Sequence, residues 1–387
     1  MTKVRARRLM VVATVFFWFS QYGFVPYFNP YLNAAGISAT VVGFIASAYG
    51  IMQFLLRIPL GMAADRHRIH KTFILMGTIC ATTGSIGLYF SEAPVAFFIF
   101  RALTGVAGSS WVAFTALFSD YYDDRSSVES VAILVSANYL GRMVAFIIGG
   151  FVAQSLGDRY TFLMSAIAGI ISFALCIGLL GKEKGAQNPV QARELLTVFK
   201  DKNLVVVSIL GVCAQMIAFG SFFTYSSDLA KQAVGAQSYQ LSIMNILLTI
   251  PAIFLGHFFA NTMNKKLGTN RVIGLAFVNL GIYCAAMPFA THIMHFYVLA
   301  LFVGLGNGAI FAILMGLCAK NVAPEKKTTA MGVFQSVYAI GMMMGPIVSG
   351  TIVDAAGLRP AFFVLCGICV VGVFIAWQHL EKLKKDA

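Results

Sequence analysis

Charge is what this sequence has least of: 11% of its 387 residues are Asp, Glu, Lys or Arg, with 15 acids against 28 bases. A soluble domain carries about twice that share. With 59% hydrophobic residues and a mean hydropathy of +0.80, the chain has more apolar surface than a globule could hide, so it reads as an integral membrane protein. Polar and apolar residues nowhere alternate over about ten positions, as a transmembrane strand requires, and the class is all-α. Clustered metal ligands are missing too. The seven cysteines (80, 176, 213, 284, 318, 366, 369) all lie in apolar runs, which argues against disulfides and metal, and Cys366-Gly-Ile-Cys369 reads as helix packing despite its redox-motif spacing. No Gly-x-x-x-x-Gly-Lys-(Ser/Thr) loop occurs, so direct ATP drive is not expected, and no cofactor is implied. The first apolar run is too long for a cleavable signal and lacks a small-residue cleavage site.

What is present is a repeat. Gly341-Met-Met-Met-Gly345-Pro346-Ile-Val-Ser349-Gly350 answers Gly141-Arg-Met-Val-Ala145-Phe146-Ile-Ile-Gly149-Gly150 at an offset of 200 positions, and Ser136, Gly157, Arg159 and Phe162 pair with Ser336, Gly357, Arg359 and Phe362. Gly105 answers Gly304 in the same way. The chain is therefore a duplicated unit, each copy one bundle. Apolar runs of about 20 residues, the length that a helix needs to cross a bilayer, fall near 8–31, 40–63, 72–90, 95–118, 128–154 and 160–180, and then near 204–225, 240–259, 272–290, 296–319, 330–354 and 361–378. Twelve spans divide into bundles 1–181 and 204–387, joined by the basic linker 182–203.

The excess of positive charge raises the question of a nucleic-acid partner. On one side of the twelve spans lie 22 of the Lys and Arg residues, and on the other only Arg159, Lys231 and Arg359. That is a topology signal. It places both termini and the linker in the cytoplasm, with the chain in the cytoplasmic (inner) membrane, and leaves nucleic-acid binding without support. The expected partners are the lipid bilayer, a small-molecule substrate and a coupling ion or counter-substrate, around a monomer.

Three motifs carry a family resemblance. Gly61-Met-Ala-Ala-Asp65-Arg66 between spans 2 and 3 resembles the signature loop of the major facilitator superfamily, departing from it at Arg68, Ile69 and His70. Arg101-x-x-Thr104-Gly105-x-x-Gly108 on span 4 is similar to the family's arginine motif, and Gly341 to Gly350 to its Gly-x-x-x-Gly-Pro motif. In proton antiporters of that family the last motif is expected on span 5, where this chain has Ala145 and Phe146. The resemblance implies two six-helix bundles, related by a pseudo-twofold axis, that rock about a central cavity. It also implies a gate at Asp65 and Arg66, which are otherwise a solvated charge cluster. Small residues at Gly61, Gly105, Gly141, Gly149, Gly341 and Gly345, with Pro346, let helices approach closely and slide.

Three arginines, Arg57, Arg101 and Arg142, lie inside spans, and no carboxylate or histidine is deeper than about a turn in any of them. An intramembrane charge costs at least about 2.5–3.5 kcal/mol and faces a cavity or a partner. Arg142, with Asn138 one turn away, points to substrate contact, or else to hydrogen bonding between helices. Arg101 serves the cavity or snorkels to the interface. Arg57, one turn from Gln53 and two from Asp65, is expected to pair with the gate. Met342 stands where the first half has Arg142, and span 7 offers a stripe of Phe219, Phe222, Phe223 and Tyr225, facing either the cavity or core and lipid. With Gln21 and Tyr22 of span 1 and Gln53 of span 2, these residues form the expected binding set, a cationic wall opposite an aromatic one.

Such a site suits a small anionic or amphipathic organic solute, moved without chemistry by alternating access. A proton-coupled drug or metabolite exporter is the alternative, although span 1 (Trp18, Gln21, Tyr22, Tyr27, Asn29) lacks the carboxylate that cationic drugs need. A membrane enzyme would need acid, His or Cys clusters at depth, and a sensor or scaffold would need a soluble domain.

Overall fold

The computed structural model describes residues 3–67, 69–122, 127–180, 202–258, 262–318 and 327–379, and among these every regular element is helical. The membrane-crossing helices are span 1 (Lys3–Ala34), span 2 (Ala39–Ala64), span 3 (His70–Phe90), span 4 (Pro94–Asp120), span 5 (Val131–Ser155), span 6 (Tyr160–Ile177), span 7 (Asn203–Val234), span 9 (Thr269–Phe289), span 10 (Ile293–Cys318), span 11 (Met331–Ala356) and span 12 (Leu358–Gln378). Span 8, with apolar stretch Ser238–Phe254, completes twelve. An even number returns the chain to the face it started from, here termed the terminal face; the opposite one is the distal face. The expected linker falls almost wholly outside the described residues.

The repeat is visible in packing. A methyl group on Gly141 would stand 2.3 Å from the Val15 carbonyl oxygen, and one on Gly341 would stand 2.2 Å from that of Val212. Spans 5 and 1 thus touch backbone to backbone, as do spans 11 and 7. Gly105 against Tyr49 and Gly304 against Leu248 repeat the arrangement for spans 4 and 2 and for spans 10 and 8. Large apolar side chains point outward where lipid is the solvent, Phe90, Phe151, Phe254 and Phe289 each about 70% exposed.

Spans 1 and 7 are both broken. Span 1 stops at Tyr22 and restarts at Val25, with Pro26 in the new first turn, where its missing N–H costs nothing. The first helix of span 7, Lys202–Ile217, passes into a π-helical turn at Ala218–Phe222, and the span restarts at Ser226. It continues to Val234, nine residues beyond the expected end at Tyr225. This corrects the expectation about acids: Asp228 is 4% exposed and lies more than a turn inside the span. It belongs to the first turn of the restarted helix, where the backbone N–H groups favour a carboxylate.

At the distal face the halves are tied together. The Asp354 carboxylate accepts hydrogen bonds from the backbone N–H groups of Ala39 (2.9 Å) and Thr40 (2.8 Å), at the start of span 2. On the other seam, Asp158 pairs with Lys231 at 2.8 Å and accepts from Ser238 Oγ at 2.8 Å, at the start of span 8. Tyr27 bonds Ser242, Asn29 Nδ2 donates to the Thr224 carbonyl (2.7 Å), and Tyr225 OH donates to the Ala39 carbonyl (2.7 Å). Between these bonds the backbones nearly touch. A Cβ on Gly43 would lie 2.3 Å from the Pro346 oxygen, one on Gly50 2.6 Å from the Met343 nitrogen, and one on Gly350 2.5 Å from the Ala39 oxygen.

At the terminal face, bonds among the described residues tie the first half to itself. Arg7 Nε donates to the Tyr121 carbonyl (2.9 Å), Tyr121 OH to Leu180 (2.8 Å), and Lys71 Nζ to Ile177 and Leu179 (both 2.8 Å). These cations satisfy carbonyls left open at helix C-termini.

Candidate functional site

Between the halves lies a chamber of about 190 Å³. The first half lines it with Trp18, Tyr22, Tyr49, Gln53, Arg57, Trp111, Asn138, Tyr139 and Arg142, the second with Gln215, Phe219, Phe223, Leu248, Ala252, Gly304, Asn307, Gly308, Phe311, Tyr338 and Met342. One wall is cationic and the other carries no charge. No Asp or Glu is part of either.

Arg142 is half-buried, one helical turn from Asn138, with its guanidinium 4.0 Å from the centre of the Tyr22 ring and 5.8 Å from that of Phe223. Its Nε and the Asn138 Oδ1 are buried without a hydrogen-bond partner. A ring face moderates a cation's loss of water and leaves its N–H groups free. Arg57, 4% exposed, donates to the Gln335 carbonyl (3.2 Å) and Tyr338 OH (3.1 Å) of span 11, and to Gln53. Two of these bonds cross between the halves and the third runs along span 2; the expected pairing with Asp65 lies outside the described residues. Ser336 Oγ reinforces this crossing by donating to the Phe54 carbonyl at 2.9 Å.

Arg101 does not snorkel. It is 6% exposed among the rings of Tyr49, Phe24 and Phe28, and together with Gln21 it lines a separate recess on the distal side of the chamber. Of the other expected binding residues, Gln53, Asn138 and Met342 line the chamber, and Tyr22, Phe219 and Phe223 line both spaces. Phe222 and Tyr225 are buried in the second half's core.

The expected gating glycines divide by position. Gly141 packs on span 1, Gly149 lies against the Gly23 carbonyl of the same span, and Gly341 and Gly345 pack on span 7, so all four make contacts within one half. Gly105 does so against span 2, and a Cβ on Gly61 would meet only Val112, at an ordinary 3.4 Å. Pro346 is at the seam between halves, opposite Gly43. The close approaches between the halves are instead at Gly43, Gly50, Gly150 and Gly350, which the reading of the motif's first glycines missed. The side chains of Asp65 and Arg66 lie outside the described residues.

Other residues of the chamber also escaped the sequence. Gln215, Asn307 and Tyr139 are polar groups in otherwise apolar spans, a signal that was present and unused. Tyr49, Trp111 and Phe311 had no such mark.

A family model described as Major Facilitator Superfamily matches residues 10–254 and 229–386. An uncharacterised MFS-type transporter of Methanocaldococcus jannaschii is 21% identical, covering 99% of this chain and 100% of its own. The multidrug resistance protein MdtG of Escherichia coli is 21% identical, over 90% of this chain and 82% of its own. The crystal structure of a bacterial homologue of the human lysosomal transporter Spinster, inward-facing and unoccupied, superposes with a TM-score of 0.79 at 14% identity, covering 99% and 98% of the two chains.

Proposed function

Since the chain belongs to the major facilitator superfamily, we propose that it is a secondary carrier of a small, anionic or amphipathic organic solute, working by alternating access in the cytoplasmic membrane. The observation that carries this reading is the chamber's charge: Arg57 and Arg142 line it, and no acid does. A guanidinium that keeps a free N–H in a water-poor space binds a carboxylate or phosphate through charge-assisted bonds. The uncharged wall of Phe219, Phe223, Phe311 and Met342 suits the solute's apolar part. With both termini cytoplasmic, as the 22-to-3 split of Lys and Arg favours, the sealed distal face is the outer one and the chamber is set to load or release inward. Movement is either facilitative or driven by an ion or counter-substrate gradient, with the bilayer as the chain's surroundings and a monomer as the working unit.

A thermal-shift screen of the purified protein against anionic, zwitterionic and cationic metabolites and lipids tests the reading, because a ligand of the folded state raises the melting temperature by mass action. Stabilisation by anions that is lost in Arg142→Gln supports it. Stabilisation by cationic dyes alone, unchanged in Arg142→Gln, supports the second reading, a multidrug exporter, which the aromatic share of the lining favours.

A further inference from the structure

The outer surface of the second half has an opening that the chamber does not account for. Between spans 9 and 10, toward the terminal face, lies a groove of about 90 Å³, several times the roughly 10–15 Å³ that one water needs. Met263 and Leu267 of the connection before span 9, Leu275 and Asn279 of span 9, and Gly306 and Ala309 of span 10 line it. Its one polar side chain, Asn279, spends Nδ2 on the Phe302 carbonyl (2.5 Å), so the lining offers only hydrocarbon. Leu275 is 57% exposed, and the groove is therefore open to lipid. A methyl group on Gly306 would meet the Ala276 carbonyl at 3.0 Å, so the two spans close on each other at the deep end.

Three cations stand at the mouth of this groove. Arg271, Leu275 and Asn279 follow one another at four-residue steps, which puts Arg271 on the groove's stripe of span 9, one turn nearer the terminal face. Lys265 and Lys266 belong to the short helix Asn264–Leu267, whose last residue is part of the lining. All three are exposed, and among the described residues none has a hydrogen bond or an ion pair. The sequence has no Asp or Glu between Asp228 and Glu325. In the first half, by contrast, Lys71 at the start of span 3 is spent on the carbonyls of Ile177 and Leu179. Arg271 also sits in the first turn of span 9, which has no side-chain cap, and a cation at that end opposes the helix dipole. An anion there relieves both. Trp377 is 63% exposed, with its indole nitrogen 2.9 Å from where a methyl group on Gly274 would stand, and so marks the headgroup level about one turn below Arg271. The bias of positive charge toward this face explains cations as such; it does not explain three unpaired ones set over an apolar groove.

We propose that this corner binds an anionic phospholipid from the leaflet at the terminal face. Its phosphate is held by Arg271, Lys265 and Lys266, and the first part of an acyl chain lies in the groove between spans 9 and 10. Basic pockets between membrane helices select anionic headgroups in this way. The site is independent of the chamber and of what the chamber carries.

Native mass spectrometry of the full-length chain, released from micelles holding equal amounts of dioleoyl phosphatidylglycerol and dioleoyl phosphatidylcholine, counts the lipids that stay bound. Phosphatidylglycerol should be retained about tenfold over phosphatidylcholine. Replacing Lys265, Lys266 and Arg271 together by Gln should bring the ratio below about twofold, whereas replacing Lys3, Arg5 and Arg8 by Gln, which removes as many cations from the same face, should leave it unchanged. Leu275→Trp, at a lipid-exposed position, should fill the groove and lower phosphatidylglycerol retention several-fold with every cation in place. Glycerophosphoglycerol, the same headgroup without chains, should not displace the lipid. Equal retention of the two lipids by the unsubstituted chain overturns the site without requiring any variant to fold. An equal loss in the Lys3, Arg5 and Arg8 variant overturns it as well, since only a diffuse field then acts. Unchanged retention in Leu275→Trp, or displacement by the chain-free headgroup, does the same, because the groove then holds no chain.

Discussion

The two halves share a frame and differ in their walls. Gly141 on Val15 repeats as Gly341 on Val212, Gly105 on Tyr49 as Gly304 on Leu248, and each half ends a distal seam with an aspartate, Asp158 or Asp354, held at the start of the other half's second span. The buried charge follows no such symmetry. Arg57, Arg101 and Arg142 all belong to the first half, and Met342 occupies the position that answers Arg142. On the proposed reading, what is duplicated serves movement and what is not serves the cargo.

That contrast predicts equal effects at frame positions and unequal effects at wall positions. The largest effect belongs to the frame. Gly141→Leu and Gly341→Leu each force a side chain into a backbone, so each should destabilise by about 3 kcal/mol or more, with similar losses of melting temperature in the two variants. A loss confined to one half would break the symmetry argument. Next comes the wall, where the halves should differ. Arg142→Gln should weaken binding of an anion identified by thermal shift by about ten- to a hundredfold, the equivalent of about 1.5–3 kcal/mol, with Arg142→Lys in between, while Met342→Gln changes the dissociation constant less than about threefold.

The distal latches should return to symmetry at smaller scale. Asp158→Asn and Asp354→Asn each remove a partly solvated interaction worth about 0.5–1 kcal/mol, so each should raise distal accessibility two- to fivefold, read as labelling of a cysteine placed at the half-buried Ile37 or Val234. The two effects should add, because they act on different seams. The smallest effect is expected at the terminal face, where Arg7→Ala unties a clasp inside the first half. It should lower stability by about 1 kcal/mol and leave distal labelling unchanged.

Much of the fold was legible because a bilayer imposes simple rules. Apolar length gives the spans, the bias of Lys and Arg gives their alternation, and the 200-residue echo gives the two bundles. Span ends were less legible: Ser226, Asp228 and Lys231 make Tyr225 look like the end of an apolar run, yet the helix restarts there because its first turn welcomes an acid. For the site, Arg142 and Asn138 could be placed from their one-turn spacing, whereas Arg101 and Gln21 could not be told from chamber residues. Tyr22, Tyr49, Phe219 and Phe223, which line both spaces, come from spans 1, 2 and 7, and no periodicity within one helix reveals them. Which glycine faces its own half and which faces the seam is likewise a matter of helix rotation, invisible in a motif.

The distal seam has one property with a kinetic consequence. Where Gly43, Gly50 and Gly350 meet Pro346, Met343 and Ala39, backbone approaches backbone with no glycine side chain in between. Parting such surfaces unlocks few rotamers and closing them freezes few, so little of the side-chain entropy cost of ordinary packing, up to about 2 kcal/mol per long side chain, stands between the two states. In the proposed alternating-access cycle the seam closes by fit along a smooth track, and the rate is set by the few polar bonds along it and by the solute in the chamber.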